Sequence, residues 1–180
     1  MEPKPYPGWP IPPEAYDHNS TGRPERLADF DLRPEYLRSD YAYVSALPTD
    51  PQKMYEHLYT GLGTDAKADV EAWSRVGGLL SEAYLPAAQR AALYRAAAAI
   101  LGVTTVDHAV DAASRTGIAA AKTIGGVREE YIFDRDTYRY LGKRSVVVDE
   151  AQAKAPVGSV LESSAELKVS VVDRAPQVTR

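Results

Sequence analysis

At Gly102 the apolar pattern of this 180-residue chain changes period, and that change constrains the fold more than any other feature. Before it, apolar residues recur every three or four positions, the spacing of one helix face; after it they alternate, the spacing of a strand. Asp50 as N-cap and Pro51 at the first helical position open a helix. Met54, Tyr55, Leu58, Tyr59 and Leu62 share its face, and Gly61 and Gly63 end it. A second helix runs from about Asp65, with Val70, Trp73, Gly77, Leu80 and Tyr84 roughly in line. Gly77-Gly78 weakens it and marks close packing against a neighbour. Pro86 opens a third, alanine-rich helix through Leu93, Ala96, Ala97 and Ile100, which Gly102 closes.

Beyond Gly102, residues 103–110, 117–124, 127–134, 138–150 and 160–172 read as strands. Gly125-Gly126 separates two of them by the two-residue spacing of a tight hairpin, and Asp134–Thr137 makes the next turn. In the last strand Leu161, Ala165, Leu167, Val169 and Val171 share a face with Ser163. One apolar and one mixed face suit a sheet covered on a single side. Helices followed by a run of strands predict an α+β fold. The expectation is a three-helix segment packed on a curved, half-barrel-like antiparallel β-meander of about five strands. That domain spans 49–175, with helices in 50–101 and the meander in 103–172.

The first 48 residues read differently. Ten of the thirteen prolines lie in the first 51 positions, and proline has no backbone N–H to give to a helix or central strand. Trp9, Phe30, Tyr6, Tyr16, Tyr36, Tyr41 and Tyr43 nevertheless give this stretch aromatic surface to cover. An irregular Pro/Tyr-rich arm over 1–48, wrapping part of the domain, is expected.

A net charge of −4, with no basic run longer than Lys143-Arg144, argues against nucleic-acid binding. No apolar stretch is long enough to cross a bilayer. With no cysteine there is no disulfide, thiolate nucleophile or Cys-ligated zinc.

Each apparent chemical motif fails on geometry. Gly61-Leu62-Gly63-Thr64-Asp65-Ala66 resembles a dinucleotide fingerprint, but that chemistry needs a strand before the glycines and here a helix precedes them. A helix end followed by a new N-cap at Thr64 or Asp65 explains the run. Asp107 and His108, considered with Asp111 as metal ligands or an acid–base pair, are adjacent on a strand and diverge. Asp134, Asp136 and Tyr138 mimic the start of a calcium loop without its glycine, and the required acid falls at Ser145. Glu129 and Glu130 also diverge; Glu129, on the face of Tyr131 and Phe133, is expected to pair across strands with Lys122, Arg139 or Arg144. The sequence therefore assigns no catalytic, cofactor-binding or metal-binding residue. Its candidate ligand or partner surface is Trp73, Leu80, Tyr131, Phe133 and Trp9.

Leu47-Pro48-Thr49-Asp50-Pro51, Gly78-Leu79-Leu80, Tyr84–Ala88 and Arg90–Ala98 form an ordered series. Gly126–Glu130, Ile132-Phe133-Asp134, Tyr140–Arg144 and Gly158–Leu161 continue it. In order and spacing the series resembles the C-terminal portion of an uncharacterised actinobacterial family of membrane-anchored proteins, many encoded beside sigma-factor genes. The likeness covers about residues 47–175 and supplies no catalytic residue. It implies an exported, extracytoplasmic domain, with a membrane anchor and further β-structure upstream in the family; a cytoplasmic location is the alternative. The turn Phe133–Thr137 leading to Leu141-Gly142 also looks like hairpins of half-barrel periplasmic carriers and sensors. The expected function is a non-enzymatic regulatory or sensory domain that binds a protein or apolar small molecule between helices and sheet. A lipid carrier is the first alternative, and an enzyme with a dispersed site the second.

Overall fold

The computed structural model describes Pro34, Tyr36 and residues 38–171, so Trp9 and most of the expected arm lie outside the described residues. The chain divides into two units between Pro34 and Glu35, and the second is the one described below. Helix begins earlier than the proline density suggests. Asp40 accepts from Tyr43 N–H and caps α1 (Tyr41–Ser45), which sends Val44 into the core, and Leu47 follows it. This proline-free turn has its own N-cap, and that local chemistry prevails over the composition around it.

Asp50 and Asp65 cap α2 (Pro51–Leu58) and α3 (Ala66–Glu82) by accepting from Lys53 and Ala68 N–H, and α4 (Ala87–Ala99) follows Pro86. The sheet comprises β1 (Val103–Val110), β2 (Thr116–Ile124), β3 (Val127–Phe133), β4 (Tyr140–Val147) and β5 (Val160–Ser163). Its strands are antiparallel and lie in sequence order, so the fold is α+β. Gly125 and Gly126 both take positive φ, 54° and 81°, as the two-residue β2–β3 turn requires. Two expected strands are shorter. β4 ends at Val147 because Asp149 accepts from Gln152 N–H and starts α5 (Glu150–Ala153). β5 ends at Ser163, and Leu161, Leu167, Val169 and Val171 are exposed rather than covered.

Tyr131, Tyr140, Phe133 and Ala120 join the helix core built on Trp73, Met54, Leu58 and Leu93. The opposite sheet face is more apolar than expected: Ala109, Ala119, Ile132 and Leu141 form a second buried cluster. The sheet curls enough that Ala112 N–H, just past β1, donates to the carbonyl of Ser164, just past β5, at 3.2 Å. Glu130 sits two residues from Ile132 on that face, its carboxylate fully buried. Arg128 holds one oxygen and Arg144 the other, each through two nitrogens at 2.8 Å. The carboxylate thus exchanges water for four charge-assisted bonds, while its arginines keep one edge in solvent.

α3 meets the sheet at Gly77. A Cβ there would fall on the Tyr131 hydroxyl, whereas one at Gly78 would meet nothing. Gly77→Ala should therefore cost roughly 1–3 kcal/mol through overpacking, while Gly78→Ala should gain up to about 1 kcal/mol from helix propensity. Urea denaturation of the two variants checks the opposite signs. Glu130→Gln, which removes the charge that two arginines converge on, should lower stability by about 3 kcal/mol in the same measurement.

Candidate functional site

Three features of α3, α4 and the sheet leave a gap between them. Gly77 draws Tyr131 against α3, where its ring lies 4.4 Å from that of Trp73. Tyr94 of α4 leans on Phe133 with centroids 4.7 Å apart. Between these two aromatic pairs stand small residues, Ala97 on α4 and Ala120 on β2, the register partner of Tyr131. The result is a cavity of about 240 Å³ lined by Trp73, Val76, Leu80, Tyr94, Ala97, Ile118, Ala120, Tyr131 and Phe133, with exposed Thr105 and Tyr138 also bordering it.

Four of the five residues expected to form a ligand surface thus line one space: Trp73, Leu80 and Tyr131 are buried and Phe133 half-buried. Trp9 lies outside the described residues. Sequence reading missed Tyr94, Val76, Ala97, Ile118 and Ala120. Only the pairing of Ala120 with an aromatic, in a helix-facing position, could have signalled a gap, and that pairing needs the register.

Among the described residues, no Asp, Glu, His, Lys or Arg lines this cavity. Two of its hydroxyls, those of Tyr131 and Tyr94, are hydrogen-bonded to backbone carbonyls. Tyr131 donates to the Trp73 carbonyl at 3.4 Å, and Tyr94 donates to the Tyr138 carbonyl at 3.0 Å. Tyr138 itself holds φ at 54°, unusual for a bulky side chain, in the turn after β3. Asp134 organises that turn by accepting from Thr137 N–H and Oγ1, and those bonds hold its carboxyl below the usual value. Burial pushes the Tyr94 phenol up to about 12 and raises Tyr131 and Tyr140 as well.

The other candidates are dispersed. Gly61 ends a helix region with φ 72°, and Asp65 caps the next helix, the arrangement expected from the residues. His108 is exposed at a β1 irregularity with φ 58°, and Asp107 is bound by Arg135 at 2.6 Å. Asp111 is buried and accepts from Ala113 N–H, Arg115 N–H and the Arg115 guanidinium. That guanidinium also donates to the carbonyls of Leu141 and Glu166, which makes Asp111 part of a structural clasp. The expected cross-strand ion pair of Glu129 is replaced. Glu129 accepts from Trp73 Nε1 at 3.1 Å, Lys122 donates to the Leu101 carbonyl, and Arg144 goes to Glu130. The charged residues lining the wider groove along α3, about 530 Å³, are Glu71, Glu82, Glu129, Lys143 and Glu162, the last two joined at 2.8 Å. Among the described residues no group of His, Asp and Glu could hold a metal ion, and no helix is long and apolar enough to cross a membrane.

The geometry defines an α+β domain with one uncharged, aromatic-walled cavity between its layers. No family model, curated protein or solved structure matches the chain.

Because the fold holds the Tyr94 phenol neutral, its contribution is intact below the ordinary phenol value of 10 and is lost as pH rises through about 12. A spectrophotometric titration should show a late-ionising phenol near 12 that Tyr94→Phe removes.

Proposed function

We propose that this chain is a non-enzymatic binding module that takes one compact apolar group, such as an aromatic side chain of a protein partner, between α3–α4 and the sheet. The observation that carries this reading is the meeting of Trp73, Leu80, Tyr131 and Phe133 around one cavity without a charged side chain. At about 240 Å³ it exceeds the ~150 Å³ apolar cavity that accepts benzene, and falls short of the ~300–1,000 Å³ of ordinary ligand pockets. A ring fits that interval; a lipid carrier needs more room. Against an enzyme stands the lack, among the described residues, of any Asp, Glu, His, Lys or Arg lining the cavity.

A regulatory or sensory role outside the cytoplasm, with a membrane anchor upstream, completes the proposal. It rests on the resemblance of residues 47–175 to the anchored, sigma-factor-associated family. No cofactor enters it.

Toluene is the probe for the cavity. Its titration should shift the methyl resonances of Val76, Leu80 and Ile118 saturably in ¹H–¹³C spectra, and Ala120→Leu, which fills the space, should abolish the shifts. Decanoate should leave the same methyls unmoved. Saturable decanoate binding would transfer the assignment to a carrier, and absence of any toluene response would end the cavity reading.

A further inference from the structure

Past β5 the chain keeps a strand's bonding for only a few residues. Ser164 N–H donates to the Lys143 carbonyl at 2.8 Å and Glu166 N–H to the Leu141 carbonyl at 2.6 Å. The carbonyls of Ser164 and Glu166 accept from Ala112 N–H and the Arg115 guanidinium. Ser164 and Glu166 are thus engaged by their own domain. Ala165 and Leu167, by strand alternation, turn their N–H and C=O groups the other way. Among the described residues, Ala165 and 167–171 make no backbone hydrogen bond outside regular elements. Leu167 is 77% exposed, Val169 45% and Val171 49%. Glu166 and Lys168 form no ion pair among the described residues.

This stretch, Ser164-Ala165-Glu166-Leu167-Lys168-Val169-Ser170, is complementary to its own reverse about Leu167. We infer that it pairs antiparallel with the same segment of a second copy, about a two-fold axis at Leu167, and so joins two sheets edge to edge. Leu167 then faces Leu167 of the second copy, Ala165 faces Val169, and Ser164 faces Ser170. Glu166 faces Lys168 twice, once on each side of the axis. The odd residues, whose backbone groups are free, become the hydrogen-bonded pairs. The charged residues fall in the non-hydrogen-bonded pairs, where side chains approach closest.

The adjacent registers are penalised. Moving the axis to Glu166 or to Lys168 sets like charges directly opposite each other. Moving it by half a residue turns the apolar face of one copy onto the polar face of the other. An exposed edge bearing Leu and Val is otherwise a liability that proteins cover or charge. Against these adjacent registers, the charge pattern favours pairing about Leu167.

Sedimentation velocity of the full chain, from low micromolar to near-millimolar concentration, tests the dimer. The mass should rise from 19.6 kDa toward twice that value. Lys168→Glu, at an exposed position, places Glu opposite Glu twice and should weaken association about tenfold. Glu166→Lys combined with Lys168→Glu rebuilds both pairs with reversed polarity and should restore it. Leu167→Pro removes the two reciprocal bonds at the axis and should leave a monomer. Melting curves confirm that each variant is folded. A wild-type chain that stays at 19.6 kDa throughout overturns the proposal. So does a Lys168→Glu variant that associates as the wild type does, or a folded double variant that fails to recover.

Discussion

The close approach of α3 to β3 at Gly77 organises the rest of the domain. A hydrogen in place of a methyl lets the Tyr131 hydroxyl reach the helix backbone, where it donates to the Trp73 carbonyl. Trp73 then stacks beside Tyr131 and sends its indole N–H to Glu129, so helix and strand are joined by two hydrogen bonds and a ring contact. The Tyr131 hydroxyl and the Trp73 indole N–H each find an acceptor there, which offsets the cost of desolvating them. The cavity follows from this seam. Two aromatic pairs keep the layers apart while Ala97 and Ala120 leave the space between them unfilled.

The sheet's other face is governed by buried carboxylates, each tied to arginine. Glu130 is held by Arg128 and Arg144 across β3 and β4, and Asp111 by Arg115 at the β1–β2 turn. The second pair reaches further, because Arg115 also binds the carbonyls of Leu141 and Glu166. One side chain thereby fastens the β1–β2 turn to β4 and to the segment beyond β5. The curl of the sheet and the free edge at Leu167 are therefore two results of one arrangement.

Much of this was legible in the residues, because it depends on local chemistry. Asp50-Pro51, Asp65 and Gly125-Gly126 act within a few positions of themselves, so the helices and hairpin they predict are where they should be. Alternation placed Glu129 with Tyr131 and Glu130 with Ile132, on opposite faces. It could not show which glutamate would be buried, because that depends on where Arg128 and Arg144 can reach together. Nor could it separate a paired strand from an unpaired one. Residues 164–171 alternate as well as β3 does, but end beside too little sheet to pair fully. α1 was obscured because proline density describes a neighbourhood, while a cap acts on a single turn. Of the candidate surface, Trp73, Leu80, Tyr131 and Phe133 were visible as helix-face or strand-face residues; Tyr94 and Ala120 were not.

By itself, the sequence determined α2–α4, the order of the five strands and the α+β class, since caps, turns and periodicity are short-range properties. Only the tertiary structure decided which charges are buried, which apolar residues remain exposed and where space is left between the layers. Those outcomes depend on strand register and on the distance between helix and sheet, which residues far apart in the chain set together.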